Sequence, residues 1–578
     1  MMKKAANEAF EFWLSSPYFD EETKRELQAL KGDEDEIRER FGKDLEFGTG
    51  GMRGILGAGT NRFNLYTVRR ATQGLADYIH SLKGGDQGVV IAFDSRHGSA
   101  RCAEEAALCL NANGIPAWRF ESLRPTPELS FAVRELGCIA GVVITASHNP
   151  AEYNGYKVYW EDGGQITPPH DRLITEHIQK IQTWQDVRTM RREDAVSLGL
   201  YHVIGEEIDR KYYEAILSDI PHPEISAAAR RGLKIVYTPL NGTGSVPVMT
   251  LLHRLGFSQA VIVKEQADPD PEFTTCRKPN PETESAWKLA LRLAEETGAD
   301  LVMATDPDAD RLGVYARSAE GNYVRFSGNM IGILLGDYVL RERKRSGTLP
   351  EHASIGTTIV SSRMAEPLAE KYGVSLFETL TGFKYIGEKI REFETSGESS
   401  FVFGFEESYG CLAGTSVRDK DSVSASLMMA EAAAYYKERG KTIWDAMKDL
   451  YAEFGCYREG QVSITIGGID GIRKIQERME ESRRSPAKAI GNKAVLAVRD
   501  YRAGIRRDII TGKETPLNLP SSNVLYYELE DGWCAVRPSG TEPKIKYYFG
   551  VRAESEAACG KDYEALKEAI RNESGRTG

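Results

Sequence analysis

Asp306, Asp308 and Asp310 put three carboxylates within the five residues "DPDAD". In one loop their charges would repel strongly unless a cation sat among them, and hard carboxylate oxygens select Mg²⁺ or Ca²⁺. A calcium loop of the EF-hand kind needs glycine at its sixth position and glutamate at its twelfth. Those positions hold Arg311 and Arg317, so that reading fails. The bland alternative is an acidic solvated turn, but the apolar "LVMA" ahead of the aspartates and Pro307 among them argue for a fixed segment.

A second stretch, "GVVITASHNP" (141–150), passes from apolar residues into a polar cluster around Ser147. Serine and asparagine before proline commonly close turns, and the G-x-S-x-G elbow of a hydrolase is absent. If this loop meets residues 306–310, the serine acquires chemistry. A serine beside a divalent cation can carry a phosphoryl group whose oxygen completes the metal's shell. A third cluster, "RPSGTEP", offers Arg537, Ser539, Gly540 and Thr541. A guanidinium fork, two hydroxyls and glycine-exposed N–H groups suit a phosphate monoester dianion. Taken alone, a strand-to-loop turn explains the same residues as well.

Positioning such loops falls to strands and helices. Strand-length apolar runs alternate with helix-period segments, the pattern of parallel α/β layers. One cycle runs from "GVVIAF" (88–93) to "CIAGVVITA", a second from "LKIVYTPL" (233–240) to "ADLVMA" (299–304), and a third from "GNMIGILLGDYVLRER" to "SFVFGF" (400–405). The remainder, "VLYYELEDGWCAVRPSGTEPKIKYYFGV", alternates like antiparallel strands and precedes a helix near 553–570. The expected fold is therefore three related α/β domains with mixed sheets (1–228, 229–325, 326–455) and a C-terminal α+β domain (456–578). In open α/β sheets ligands bind beyond the carboxyl ends of strands. There lie the serine loop, the aspartate loop and a third loop, "GFEESYG" (404–410).

Composition bounds the partners. With 41% hydrophobic residues, 578 residues are enough for several buried cores. The net charge of −11 gives no basic footprint for nucleic acid or anionic membrane, while leaving local phosphate sites open. No apolar run is long enough for a membrane span. Eight cysteines without a C-x-x-C pair, mostly in apolar stretches, read as buried reduced thiols of a cytoplasmic protein.

Taken in order, "EFGTGGMRG", "TASHNP" with "YNGYK", "TDPDADR", "GFEESYG" and "RPSGTEP" resemble the α-D-phosphohexomutase superfamily of phosphoglucomutases and phosphomannomutases. "TGFKYIG" (381–387) and the chain length resemble the branch that holds bacterial α-phosphoglucomutases and eukaryotic phosphoglucomutase-2 and phosphopentomutase proteins. The resemblance implies four domains around a central cleft, with Ser147 as phosphoserine and Asp306, Asp308 and Asp310, joined by Ser147, as Mg²⁺ ligands. It places Arg53 and His148 beside the serine and makes Lys157 the candidate acid or base. Glu406 and Ser408 become readers of sugar hydroxyls, and Arg537, Ser539, Gly540 and Thr541 the clamp on the non-reacting phosphate. Arg311, Lys384 and Arg418 are further candidates for substrate contact. Several relatives carry a histidine where this chain has Phe383 and Lys384, which leaves the second proton-handling group open.

The implied activity interconverts glucose 1-phosphate and glucose 6-phosphate through glucose 1,6-bisphosphate, with mannose and ribose phosphates as close competitors. A metal-dependent sugar phosphatase and a non-catalytic sugar-phosphate binding protein are the other classes. Small-molecule sugar phosphates are the expected partners, and the expected state is a monomer or weak homodimer.

Overall fold

The computed structural model describes residues 2–466, 470–539 and 544–575. The first sheet contains β1 (Gly51–Ile55), β2 (Val89–Phe93), β3 (Ala117–Phe120), β4 (Ala140–Ile144), β5 (Tyr153–Trp160) and β6 (Tyr201–Ile204), in the order β1-β5-β4-β2-β3-β6. β4, β2, β3 and β6 run parallel, and β5 and β1 continue antiparallel from β4. The second sheet, β7 (Ile235–Thr238), β8 (Ala260–Ile262), β9 (Leu301–Thr305), β10 (Leu312–Arg317) and β11 (Tyr323–Phe326), is ordered β11-β10-β9-β7-β8. The third, β12 (Ala353–Thr358), β13 (Ser375–Thr379), β14 (Ser400–Glu406) and β15 (Gly410–Ala413), is ordered β13-β12-β14-β15.

One plan underlies all three sheets. A parallel strand, β4, β9 or β14, turns into an antiparallel neighbour, β5, β10 or β15. The turns are the serine, aspartate and glutamate loops, so the three sheets place equivalent corners at the cleft. β2, β4 and β9 are buried at every residue, as strands covered on both faces must be. These are the three related domains with mixed sheets that the alternating pattern implied. The last strand of the second sheet ends at Phe326, one residue past the expected boundary at 325.

In the fourth domain β16 (Cys456–Thr465), β17 (Ala489–Ile490), β18 (Lys493–Asp500), β19 (Ile505–Asp508), β20 (Glu514–Pro516), β21 (Leu525–Leu529), β22 (Gly532–Pro538) and β23 (Lys544–Ala553) pair antiparallel, with the helix Glu556–Gly575 packed on β16 and β23. Its apolar core is its own. A smaller cluster, Ile359, Val360 and Leu380 against Tyr526, Trp533 and Tyr548, joins it to the third domain.

The helix Ser422–Glu438 ties the first three domains together. It is buried through its first thirteen residues and shows no amphipathic stripe, as a helix surrounded by protein should. Asp421 caps its N-terminus and also accepts a bond from Tyr212 of the first domain at 3.0 Å. Ahead of the first sheet lie three helices, Met2–Ser15, Glu21–Ala29 and Glu34–Phe41; their Phe10, Trp13 and Phe41, with Phe19 between the first two, build an aromatic core against Tyr66 of the first domain. Among the described residues no helix is long and apolar enough to cross a membrane. All eight cysteines are free and buried.

Candidate active site

Ser147 leaves β4 in a left-handed conformation, φ +53°, and is 3% exposed. Its N–H donates to Thr145 Oγ1 at 2.8 Å, which fixes the turn locally. Its Oγ donates to Asp306 Oδ2 at 2.6 Å and lies 3.1 Å from His148 Nδ1. The serine and aspartate loops therefore meet at hydrogen-bond distance, although 159 residues separate them. Gly155 makes the approach of β5 possible, since a Cβ there would stand 2.5 Å from the Thr145 carbonyl oxygen. Two residues on, Lys157 Nζ reaches Asp308 Oδ2 at 2.7 Å and Asp310 Oδ2 at 3.5 Å. Arg53, on β1, donates to the Asn149 side chain at 3.0 Å.

Carboxylate oxygens of Asp306, Asp308 and Asp310 lie within 4.8 Å of one another and are buried. Among the described residues, Asp308 Oδ1 and Asp310 Oδ1 have no hydrogen-bond partner. Buried and convergent carboxylate oxygens with hydrogen-bonding capacity to spare are the donor set that a hard divalent cation takes, so the residues fit Mg²⁺. Burial and the neighbouring Asp308 and Asp310 charges push the Asp306 carboxyl well above its usual range. Burial also opposes the charge on Asp308, yet the Lys157 ammonium and the hydrogen bonds it receives hold that carboxyl low. The loop is anchored from both sides: Thr126 donates to Asp308 Oδ2 at 3.0 Å, and Ser422 Oγ to the Ala309 carbonyl at 2.5 Å.

Arg53, His148 and Lys157, the neighbours of the serine and the aspartates, line a cleft of about 630 Å³. Its cations are Arg53, Lys157, Arg311, Lys384, Lys420, Arg537 and Lys546, and its carboxylates include Glu282, Glu406 and Glu407. Burial, then the charges of Arg311 and Arg53, hold His148 well below the ordinary histidine range and favour its neutral imidazole. Burial likewise disfavours the charge on Lys157, but Asp308 and Asp310 outweigh it and keep the ammonium protonated. Glu406 is pushed up to about 7 by burial; Lys420 opposes the shift and Glu407 adds to it. Ser408 lines the same wall. Lys384 donates to the Thr49 carbonyl at 2.6 Å. Across the cleft, Arg537 on β22 stands in register with Lys546 on β23, and Ser539 N–H closes the base of their loop on Lys544 O at 2.8 Å. Gly540 and Thr541 lie outside the described residues.

Arg418 is elsewhere. Only 1% exposed, it pairs with Glu394 and donates through its side chain to the Thr415 carbonyl, away from the cleft. Its neighbour Lys420 faces the site instead and pairs with Asp310 at 3.0 Å.

Against known proteins, four family models match in chain order. They are the phosphoglucomutase/phosphomannomutase alpha/beta/alpha domains I (44–185), II (210–320) and III (327–454), and the C-terminal domain (479–567). The chain belongs to the α-D-phosphohexomutase superfamily. Phosphoglucomutase from Staphylococcus saprophyticus is 36% identical over 92% of this chain and 95% of its own length. That of Staphylococcus epidermidis is 37% identical over 90% and 93%. Among solved structures, a phosphoglucomutase/phosphomannomutase family protein from Burkholderia thailandensis superposes with a TM-score of 0.65 at 20% identity, covering 91% of this chain and 97% of that one. The open form of the Paramecium phosphoprotein pp63/parafusin gives 0.64 at 17% identity, over 91% and 94%.

Within this phosphohexomutase fold, several cleft residues escaped the sequence reading. Lys420 is one. Glu282 is another, paired with Arg311 at 2.7 Å. Lys546 and Tyr548 follow "RPSGTEP" on β23. The alternation of β23 was the available signal for these two: Lys546 and Tyr548 share a face, and Lys546 is Arg537's partner across the strands.

Proposed function

We propose that the protein is a phosphoglucomutase that works through a phosphoserine at residue 147 and a glucose 1,6-bisphosphate intermediate. One observation carries the reading: Ser147 Oγ sits 2.6 Å from a carboxylate of the buried aspartate trio, beside His148 and Lys157, which line a cationic cleft that Arg537 also lines. Asp306, Asp308, Asp310 and the Ser147 oxygen would hold Mg²⁺, which when bound supplies positive charge beside the transferring phosphoryl group.

Phosphoryl transfer breaks the bond between phosphorus and Ser147 Oγ and forms one to the free hydroxyl of glucose 1-phosphate. Arg53 adds charge on the side of Asn149. The sugar hydroxyl gives up a proton and the serine oxygen regains one. Lys157 is the candidate acid or base at the serine side, since its Nζ stands 2.7 Å from Asp308 and lines the cleft. Lys420 and Glu406 stand on the sugar side. Arg537, with Ser539, Gly540 and Thr541, would grip the phosphate that does not react, and Glu406 and Ser408 would read the sugar hydroxyls. When the bisphosphate turns end for end, the same groups serve the return step.

Incubation with glucose 1-phosphate, Mg²⁺ and a trace of glucose 1,6-bisphosphate should yield glucose 6-phosphate without release of inorganic phosphate. Ser147→Ala should abolish this turnover. Mannose 1-phosphate and ribose 1-phosphate should react with lower kcat/KM. Stoichiometric phosphate release would establish a phosphatase, and no turnover of any sugar phosphate a binding protein.

A further inference from the structure

We infer that Arg96, which does not line the cleft, is a positioning residue that sets the attitude of Ser147 for phosphoryl transfer and couples it to the second domain. The inference rests on Ser147 being the phosphoryl carrier. Arg96 follows β2, the strand beside β4, and is 3% exposed. One guanidinium nitrogen donates to the carbonyls of Pro150 at 2.7 Å and Tyr153 at 3.1 Å. The other donates to the carbonyl of Asn149 at 2.5 Å and to that of Ser147 itself. A single side chain thus gathers four carbonyls of the serine loop around one charge.

The other side of Ser147 is held through the same centre. Asp94 Oδ2 lies 3.2 Å from Arg96 Nε and accepts from Thr145 Oγ1 at 2.6 Å. That threonine oxygen in turn accepts the Ser147 N–H. Asp94 Oδ1 accepts from Ser99 Oγ at 2.7 Å and from the Arg96 N–H at 3.0 Å. The peptide groups on both sides of Ser147 are therefore fixed by one buried ion pair: N–H through Thr145 and Asp94, C=O through Arg96. Together they hold a non-glycine residue at φ +53°, a conformation that needs outside support. The side chain that results points at Asp306.

A buried ion pair is a poor way to gain stability alone, because apolar packing of equal volume often does as well. Its advantage is geometric. Planar and forked, a guanidinium fixes directions that a lysine ammonium cannot, and small misplacements of reacting atoms cost large factors in rate. Arg96 also stacks on the ring of Phe273, 4.9 Å from its centroid, in the domain that carries the aspartate trio. One residue on, His97 meets Glu272 across the same boundary at 2.6 Å. The serine loop is thereby referenced to the domain of its proposed metal ligands.

The test uses the full-length enzyme with Mg²⁺ and compares wild type, Arg96→Lys, Phe273→Leu and Arg96→Ala. The readouts are kcat and KM for glucose 1-phosphate, Tm, and phosphate on Ser147 by intact mass. Arg96→Lys is expected to lower kcat about 100-fold with KM changed less than about threefold, since the substrate's phosphate is gripped elsewhere. Phe273→Leu, which leaves every loop hydrogen bond in place, should lower kcat by about three- to tenfold at unchanged KM. Millimolar guanidinium chloride should restore at least about tenfold of the activity lost in Arg96→Ala and do nothing for wild type. Wild-type kcat in folded, Ser147-phosphorylated Arg96→Lys, or kcat losses in both Arg96→Lys and Phe273→Leu that merely follow their unfolded fractions, would overturn the assignment. Active wild type carrying no phosphate on Ser147 would instead overturn the phosphoserine reading.

Discussion

At Asp308 the demands of structure and chemistry coincide. One oxygen accepts from Thr126 and Lys157, while the other is buried with no hydrogen-bond partner among the described residues. Asp308→Asn removes a charge from the trio and puts an N–H group among its oxygen donors, so the Mg²⁺ concentration for half-maximal activity should rise by at least about tenfold. A Mg²⁺ titration of activity checks this, and an unchanged midpoint would remove Asp308 from the ligand set. Much of this site was legible in the chain: three aspartates alternating within five residues declare themselves, because their mutual repulsion calls for positive charge among them. Arg418 and Lys420 show where legibility stops. Both lie in "VRDKD", in a turn without period, and only the fold decides that the arginine closes on Glu394 while the lysine reaches Asp310. Arg96 was equally silent in "DSRHGS", because its partners are backbone carbonyls more than fifty residues away.

Among the elements, the buried helix Ser422–Glu438 was the least predictable, since its lack of an amphipathic stripe gives periodicity nothing to report. The parallel strands were the reverse case, announced by continuous apolar runs. Halfway along this helix Glu431, fully buried, pairs with Arg230 at 2.9 Å and with His222 at 3.0 Å. The hydrogen bond that His222 donates to Glu431 raises its pKa above the ordinary value of 6.5, and burial opposes the shift. A pKa raised on folding stabilises the protein fully below the unfolded value and loses that contribution as pH climbs through the folded one. The stability difference between wild type and His222→Gln should therefore be larger at pH 5.5 than at pH 8.5, read as urea midpoints. An equal difference at both pH values would mean that the imidazolium contributes nothing to holding the segment between the helices Glu206–Asp219 and Ala227–Gly232 to this helix.

For the whole molecule, the order of the loops carried the information. Each loop taken singly is compatible with a turn, and together they fix which three corners and which fourth wall must meet. The N-terminal helices and the interface between the third and fourth domains had no comparable signal, being built from ordinary apolar residues such as Trp13 and Tyr526. On this account Arg537 acts at a distance from the reacting phosphorus. A desolvated charge-assisted bidentate contact is worth roughly 2 to 4 kcal/mol, so Arg537→Ala should lose roughly 30- to 1000-fold in kcat/KM. Remote binding energy also positions the reacting hydroxyl, so kcat should fall as well as KM rise. The variant should further need more added glucose 1,6-bisphosphate than wild type, because its intermediate escapes before turning. Steady-state kinetics against added bisphosphate check this, and wild-type behaviour there would detach "RPSGTEP" from the site.

The central claim is that the phosphoryl group on Ser147 is the one transferred. It is tested most directly by loading Ser147 with ³²P-phosphate and mixing the labelled enzyme in single turnover with unlabelled glucose 1-phosphate. The account predicts that one equivalent of label leaves the protein at least as fast as kcat and appears in glucose 1,6-bisphosphate and glucose 6-phosphate. Label that stays on Ser147 while turnover proceeds, or that leaves as inorganic phosphate, would contradict it.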